Sequence, residues 1–255
     1  MNLVITMPVY NESDGIMHFL SDLQSRFQDF NLSIIIVNDC SIDSTENTIN
    51  QIVSQNNWDT TLINNETNRG HGPSTIKGLR ESLTHNPDLV LAIDGDGHFK
   101  TSEIEQCCKD FVNLRPQILE GVRVHRDAPM FRRYTTKFTR FLVFTASGNL
   151  PQDANTPLRI YNPAVLKEIL FQIDDNLLTP NLFISSYARV KKFNILEQKI
   201  TSTARSRSPK LGSTWNQRFS MIPSKKYMRF CFLSITQWFL IVHPNLRKIR
   251  KIDLV

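Results

Sequence analysis

An alternation of short apolar runs with helical patterns, in the first part of the chain, constrains the fold more than any other feature. Residues 2–7 and 33–37 are apolar runs suited to buried parallel strands. Residues 14–29 between them carry apolar side chains at helical spacing, with Ser13 or Asp14 as the predicted N-cap. The order then repeats as helix, strand, helix and strand at 41–56, 60–64, 73–84 and 88–93. This alternation predicts an α/β fold with a mostly parallel sheet and helices on both faces.

Polar side chains follow the predicted strands at the points where the strands end. Asn11 and Glu12 follow the first strand, Asp39 follows the second, and Asp94 and Asp96 follow the fourth. Ligands of such sheets collect at the carboxyl ends of the strands. We therefore expect these side chains to surround one binding site.

The segment Asp94-Gly95-Asp96-Gly97 directly follows a buried apolar strand. Carboxylates two residues apart point the same way in extended structure, and the glycines permit a tight backbone around one ion. Hard divalent cations prefer carboxylate oxygens, so Asp94 and Asp96 predict a Mg²⁺ or Mn²⁺ site that faces a diphosphate. The structural alternative is an acidic turn, because Asp-Gly pairs favour turns.

Four segments in this order resemble glycosyltransferase family 2. They are Pro8-Val9-Tyr10-Asn11-Glu12, the run from Val37 to Thr45, Asn68-Arg69-Gly70-His71-Gly72, and the Asp94/Asp96 pair. The resemblance implies a GT-A fold, a nucleotide-sugar donor such as a UDP- or GDP-sugar, and a metal held by the second aspartate. It also implies roles for individual residues. The nucleoside would be lined by Pro8, Tyr10 and Glu12, the base would bond to Asp39, and ribose or metal would be held by Asp94 and Asp96.

Three later segments look like those of the polyprenyl-phosphate sugar synthases, of which dolichol-phosphate mannose synthase is one. They are the runs 120–123, 153–161 and 204–213. The chain departs from that subgroup where Val122 replaces a serine, where Thr156-Pro157-Leu158 replaces Ser-Gly-Phe, and where Lys210 precedes Gly212. These departures bear on the identity of the acceptor.

Basic residues in these segments are suited to the charge of a departing nucleoside diphosphate. Arginine forks and a lysine ammonium stabilise such a charge in the transition state. The candidates are Arg123, Arg159, Arg207 and Lys210. The alternative for each is an ion pair with a surface carboxylate.

The acceptor decides whether a catalytic base is needed. A lipid phosphate is already ionised at neutral pH, whereas a sugar hydroxyl has to lose a proton. Asp153 is the best candidate base for a hydroxyl acceptor; with a phosphate acceptor it would orient Arg159 or a loop backbone. His71 and His98 lie in motifs but are weaker candidates, because a lone histidine more often only donates or accepts a hydrogen bond.

The last part of the chain is strongly basic. The net charge of the chain is +6, and residues 198–255 hold twelve lysines and arginines with Asp253 as their single acidic residue. The apolar run 230–242 is too short to cross a bilayer and is flanked by basic residues, which predicts an anchor at the membrane interface. A helix packed on the catalytic core is the alternative, and no nucleic-acid motif occurs. We therefore expect a GT-A domain at 1–213 and a helical appendage at 214–255.

The beginning of the chain lacks a basic region ahead of an apolar stretch, so we expect a cytoplasmic protein with reduced cysteines, peripheral at the cytoplasmic face of the membrane. The predicted activity is that of a metal-dependent, inverting glycosyltransferase of the hexosyltransferase type with a polyprenyl-phosphate acceptor. One alternative is transfer to a hydroxyl of a surface polysaccharide or lipid-linked oligosaccharide. A nucleotide- or nucleic-acid-binding module is the non-enzyme alternative.

Overall fold

The computed structural model describes residues 1–56, 58–97, 99–124, 130–201 and 225–252. Its strands are β1 (Asn2–Val9), β2 (Asn31–Asn38), β3 (Thr60–Asn64), β4 (Leu89–Ala92), β5 (Ile118–Val124), β6 (Arg159–Tyr161) and β7 (Ile195–Thr201). Its helices are α1 (Ile16–Arg26), α2 (Thr45–Asn56), α3 (His71–Ser82), α4 (Thr101–Leu114), α5 (Met130–Ser147), α6 (Pro163–Gln172), α7 (Pro180–Val190), α8 (Lys225–Gln237) and α9 (His243–Ile252).

The strands form a seven-stranded sheet in the order β3-β2-β1-β4-β6-β5-β7. Strand β1 pairs in parallel with β2 and β4, and β5 pairs in parallel with β7. Only β6 is antiparallel to its neighbours, β4 and β5. The carboxyl ends of the six other strands therefore meet at one edge of the sheet, together with the amino end of β6. The predicted mostly parallel sheet is confirmed.

Strands β1, β2 and β4 are mostly buried on both faces, which explains why they are nearly continuous apolar runs. Along β4, Leu89 and Leu91 belong to the core beneath α1, α2 and α4, while Val90 and Ala92 belong to the core beneath α3, α5, α6 and α7. Successive side chains of a strand point to opposite faces, so one short strand joins the two cores.

The start of α1 differs from the prediction. The N-cap is Gly15 and no side chain caps the helix, so capping by Ser13 or Asp14 is wrong. The backbone N–H of Ser13 instead donates to the Asp43 carboxylate, and the Glu12 carbonyl accepts from Gly15. Contacts with the loop after β2 have replaced a local cap.

The C-terminal helices pack on the core. Helix α8 continues through a π-helical turn (Trp238–Val242) into α9, and Trp238 is only 1% exposed. The Gln237 side chain accepts from the backbone N–H of Leu178 and donates to the Asn176 carbonyl. No described helix has the length and apolar character needed to cross a bilayer. The division at 213/214 falls among residues outside the described ranges and stays a prediction.

Replacement of Trp238 by alanine tests this packing. We expect a loss of about 3–5 kcal/mol in the free energy of unfolding, because a large buried side chain leaves a cavity. Phe239→Ala is the matched control, since Phe239 is 55% exposed, and should change stability by less than about 0.5 kcal/mol. Urea denaturation of both variants provides the measurement. Equal stabilities would contradict a packed C-terminal helix.

Candidate active site

The loops that follow β1 and β2 interlock at the carboxyl edge of the sheet. The backbone N–H of Asn11 donates to Ser41 Oγ at 3.0 Å, and the N–H of Ile42 donates to Asn11 Oδ1 at 2.9 Å. Ser41 in turn donates to Asn38 Oδ1 through both its N–H and its hydroxyl. Asn11 and Cys40 adopt positive φ angles of 55° and 59°, which permits the sharp turns. The two loops thus form one rigid wall.

Three residues predicted to line a nucleoside lie on this wall. Pro8, Tyr10 and Glu12 are each half-buried, which leaves part of each side chain accessible. The backbone N–H of Glu12 donates to Thr45 Oγ1 at 2.8 Å and so holds the loop against the start of α2. Contact between these residues and a nucleoside stays a prediction.

Asp39 fixes the entrance of α3. Its carboxylate is 4% exposed and accepts hydrogen bonds at 2.8–2.9 Å from the side chains of Asn65 and Ser74 and from the backbone N–H groups of Arg69 and Gly70. The carboxylate therefore joins β2, the loop after β3 and the first turn of α3. A hydrogen bond from Asp39 to a nucleobase stays a prediction, and any such contact would add to these bonds.

Asp94 and Asp96 follow β4 directly, but they do not lie in extended structure. Gly95 and Asp96 form a turn, so the extended geometry assumed for the two carboxylates is wrong. A Cβ atom at Gly95 would lie 2.5 Å from Val9 Cγ1 and 3.2 Å from the Pro8 carbonyl. Because only glycine fits there, the turn packs against the end of β1. It therefore lies beside the wall formed by the loops after β1 and β2.

His71, at the first position of α3, contacts the Asp94 carboxylate. The distance from His71 Nε2 to Asp94 Oδ1 is 2.7 Å. Partial desolvation lowers the pKa of the half-exposed His71 imidazole, but the carboxylates of Asp94, Asp96 and Asp39 outweigh this effect and the net pKa is raised. The three acidic residues thus make this edge strongly negative.

The donor set at Asp94 and Asp96 fits a hard divalent cation, since both groups offer oxygen ligands. Within the described ranges no cluster of three or more histidine, cysteine or acidic residues has the geometry to hold a metal. A cation bound by these two carboxylates would need further oxygen ligands, and a diphosphate can supply them.

A pocket extends from the turn at Asp94 toward β6. Its lining includes Pro8, His71, Asp94, Arg159 and Asn181. The pocket therefore lies between the end of β1, the start of α3 and β6.

Arg159 is held in a buried ion-pair network. It is 1% exposed, and its Nε donates to Glu120 Oε1 at 3.1 Å. Its Nη1 donates to Asn181 Oδ1 at 2.6 Å, and its Nη2 donates to the Ala154 carbonyl at 3.2 Å. On the other side of Glu120, Arg189 donates to Oε2 at 2.7 Å. These contacts give Arg159 a structural role, while its predicted contact with a diphosphate stays a prediction.

Glu120 and Arg189 are the site-supporting residues that the sequence analysis missed. Burial raises the pKa of the Glu120 carboxyl, but the charges and hydrogen bonds of Arg159 and Arg189 lower this pKa by a larger amount. The net pKa therefore lies below its ordinary value. The signal in the sequence was a glutamate in the middle of the apolar strand β5, since a buried charge needs partners.

Arg123 and Asp153 form a bidentate ion pair. Arg123 Nε donates to Asp153 Oδ2 at 2.6 Å, and Nη2 donates to Oδ1 at 3.0 Å and to the Asn155 carbonyl at 2.7 Å. The Asp153 side chain is 5% exposed. For a phosphate acceptor, Asp153 was expected to orient Arg159 or a loop backbone. It orients Arg123 and not Arg159, and its Oδ1 also accepts from the backbone N–H of Asn155 at 3.3 Å, so a contact with the loop backbone is present. Arg207, Lys210 and His98 lie outside the described residues.

A family model described as glycosyl transferase family 2 matches residues 4–173. The chain belongs to glycosyltransferase family 2. The matched residues include the strand ends that carry Asp39, Asp94, Asp96 and the Arg123–Asp153 pair. The prediction of a glycosyltransferase is confirmed.

Curated relatives of this family 2 glycosyltransferase include enzymes named for lipid-phosphate acceptors. A UDP-N-acetylglucosamine–dolichyl-phosphate N-acetylglucosaminyltransferase of Methanococcus voltae is 24% identical over 187 residues, which are 67% of this chain and 73% of that protein. An undecaprenyl-phosphate 4-deoxy-4-formamido-L-arabinose transferase of Pseudomonas fluorescens is 22% identical over 72% of this chain and 54% of that protein. The predicted resemblance to polyprenyl-phosphate sugar synthases is confirmed.

Solved structures share the fold. A mannosyltransferase from Pyrobaculum calidifontis in complex with GDP-Man and Mn²⁺ matches 97% of this chain and 73% of its own, with a TM-score of 0.59 and 13% identity. Glucosyl-3-phosphoglycerate synthase from Mycobacterium tuberculosis, in complex with Mn²⁺, UDP and phosphoglyceric acid, matches 82% of this chain and 72% of its own, with a TM-score of 0.59 and 15% identity. Together with the sheet topology, these matches confirm the GT-A fold.

Replacement of Glu120 by glutamine tests the buried network. We expect a loss of about 3–5 kcal/mol in the free energy of unfolding at neutral pH, because Arg159 and Arg189 lose a buried counter-charge. Glu120 has a lowered pKa in the folded state, so its contribution is complete above its ordinary value of 4.5 and is lost as the pH falls through the folded value. The stability difference between wild type and variant should therefore narrow in acid.

Glu197→Gln is the matched control for this experiment. Glu197 also accepts from Arg189, at 2.9 Å, but its side chain is more exposed than that of Glu120. We expect a smaller loss of stability, measured by urea denaturation across the same pH series. A loss for Glu120→Gln no larger than that for Glu197→Gln would contradict a central role of Glu120.

Proposed function

We propose that this family 2 glycosyltransferase moves a sugar from a nucleotide diphosphate to a polyprenyl phosphate, with inversion at the anomeric carbon. The observation that carries the donor half of the proposal is the position of Asp94 and Asp96 beside the wall formed by the loops after β1 and β2. The acceptor half is supported by the relatives named for dolichyl-phosphate and undecaprenyl-phosphate.

A divalent cation, Mg²⁺ or Mn²⁺, is part of the proposal. Asp94 and Asp96 would hold it, and their carboxylate oxygens match its ligand preference. When bound, the cation would neutralise charge on the leaving diphosphate. Two structural neighbours with the same fold were solved with Mn²⁺ bound, which supports this choice.

Among the described residues, Arg123 is the basic residue best placed to meet a phosphate. It lies near the carboxyl end of β5, its side chain is 14% exposed, and Asp153 holds its guanidinium in a fixed orientation. A pre-oriented guanidinium stabilises phosphate charge without reorganisation during the reaction. Arg123 would therefore contact either the departing diphosphate or the incoming lipid phosphate.

The proposed reaction is one displacement. An ionised oxygen of the lipid phosphate attacks the anomeric carbon, and the bond from that carbon to the diphosphate oxygen breaks with both electrons leaving on the diphosphate. Attack opposite the leaving group inverts the configuration. No proton has to be removed from the acceptor, which agrees with the bidentate contact of Asp153 with Arg123. The acceptor is carried by a bilayer, so we also propose that the enzyme is peripheral at the cytoplasmic face.

Loss of Asp96 tests the donor site. We expect Asp96→Ala to lower kcat by roughly 100-fold or more, the size expected when a charge-stabilising group is lost. The assay measures transfer from a panel of UDP- and GDP-sugars to a short polyprenyl phosphate, with and without Mn²⁺. Asp88→Ala is the control, since Asp88 is exposed at the opposite end of β4. Equal rates with and without metal, or full activity of Asp96→Ala, would contradict the proposal.

The pair of Arg123 and Asp153 separates the two kinds of acceptor. With a phosphate acceptor, Arg123→Lys and Asp153→Asn should each lower kcat/KM by roughly 10–100-fold, because lysine lacks the fork and asparagine no longer orients it. The double variant should lose little more than either single variant. If Asp153 were instead the base for a hydroxyl acceptor, Asp153→Asn would lower kcat/KM more than Arg123→Lys does. That variant would also lose the acidic limb of the pH–rate profile.

A further inference from the structure

Helix α5 carries an aromatic row on its outer face. Four of its side chains are at least 40% exposed, at positions i, i+4, i+7 and i+10: Tyr134, Phe138, Phe141 and Phe144. The opposite face of the helix is buried in the core and includes Leu142, Val143 and Ala146. An amphipathic helix of a soluble domain normally has a polar outer face, so this row needs a partner that accepts apolar side chains.

The C-terminal helical segment repeats this arrangement. Its inner face buries Tyr227, Trp238 and Val242. Its outer face exposes five large apolar side chains: Met228, Phe232, Leu233, Phe239 and Leu240. Both segments are therefore apolar on the side that faces away from the protein as well as on the side that faces the core.

The two apolar faces belong to adjacent helices. Thr135 Oγ1 on α5 and Tyr227 OH on α8 lie 2.6 Å apart, which ties the beginning of α8 to α5. Thr135 directly follows Tyr134, and Tyr227 directly precedes Met228, so exposed apolar residues flank this contact. We refer to the exposed apolar side chains of α5 and of the segment 225–242 together as the outer apolar surface.

The charges on these helices decide between partners. Arg133, Lys137, Lys225 and Arg229 are exposed beside the outer apolar surface, and the sequences of α5 and of residues 225–252 contain no acidic residue. Two copies of the chain joined through this surface would bring like charges together. An anionic bilayer complements both features, since aromatic side chains enter the interface while lysine and arginine remain at the level of the headgroups.

We infer that the outer apolar surface rests on a bilayer that contains anionic lipid. The outer face of α5 thereby joins the C-terminal segment as a membrane-contacting element. Six Cα–Cα steps join Val124, at the end of β5, to Met130, at the start of α5, a span of at most about 22 Å. The first residue of α5 therefore lies within that distance of the end of the strand that carries Arg123. This inference does not require the proposed transferase activity, because bilayer binding is measured without a sugar donor.

Vesicle binding of the full-length chain tests the inference. We expect the protein to cosediment with vesicles of phosphatidylcholine and phosphatidylglycerol, and to bind less to vesicles of phosphatidylcholine alone. The variant Phe138→Ser/Phe141→Ser should lower the partition coefficient by about tenfold or more, because two exposed aromatic anchors are lost. Phe171→Ser is the matched control, since Phe171 is 85% exposed on α6 and lies outside the surface.

A second variant separates charge from apolar contact. Arg133→Gln/Lys137→Gln should weaken binding to the anionic vesicles at low salt and leave the weaker binding to phosphatidylcholine unchanged. Circular dichroism melting checks that each variant is folded. Absence of vesicle binding by the wild type, or wild-type binding by a folded Phe138→Ser/Phe141→Ser variant, overturns the inference. A dimer of the wild type in sedimentation, with a monomeric Phe138→Ser/Phe141→Ser variant, also overturns the inference. The outer apolar surface would then join two copies of the chain.

Discussion

The ion pair between Glu120 and Arg159 is the interaction on which the geometry of the site depends. Arg159 of β6 lies opposite Ala92 of β4 and opposite Glu120 of β5. This residue therefore joins the half of the sheet that contains β1 to β4 to the half that contains β5 and β7. Ala92 is two residues before Asp94, and Glu120 is three residues before Arg123. The buried pair therefore fixes the spacing between the carboxylates proposed to bind metal and the arginine proposed to bind phosphate.

Such a pair is costly to bury, and its partners explain how it is tolerated. The transfer of an isolated charge from water to the protein interior costs several kcal/mol of free energy. This cost is on the order of the whole stability of a small domain. Arg189 and Asn181 supply further hydrogen bonds, so Glu120 contacts two guanidinium groups. Both residues lie on α7, which packs against α5. The network thus links the sheet to helices on one of its faces.

Strands β1, β2 and β4 could be predicted from the sequence because they are mostly buried on both faces and form apolar runs. Strand β3 matches its predicted range of 60–64, and β1, β2 and β4 overlap theirs closely. The strand ends also predicted where Asp39 and Asp94 meet. The buried network around Arg159 could not be predicted, because Glu120 and Arg189 are 69 residues apart and only the fold brings them together. The turn at Gly95 was predicted only as the alternative to extended structure, because its contacts with β1 could not be seen in the sequence.

The apolar run 230–242 had two interpretations, an anchor at the membrane interface and a helix packed on the core, and these need not exclude each other. A helix with an apolar inner face and an apolar outer face can contact both a core and a bilayer, and adjacent residues here illustrate the division: Trp238 is buried and Phe239 is exposed. Lipid phosphates lie at the polar boundary of a bilayer, while the aromatic row of α5 would enter it. On the proposed function, a bilayer held by this row would present the acceptor phosphate near the carboxyl end of β5, where Asp153 holds Arg123 in place.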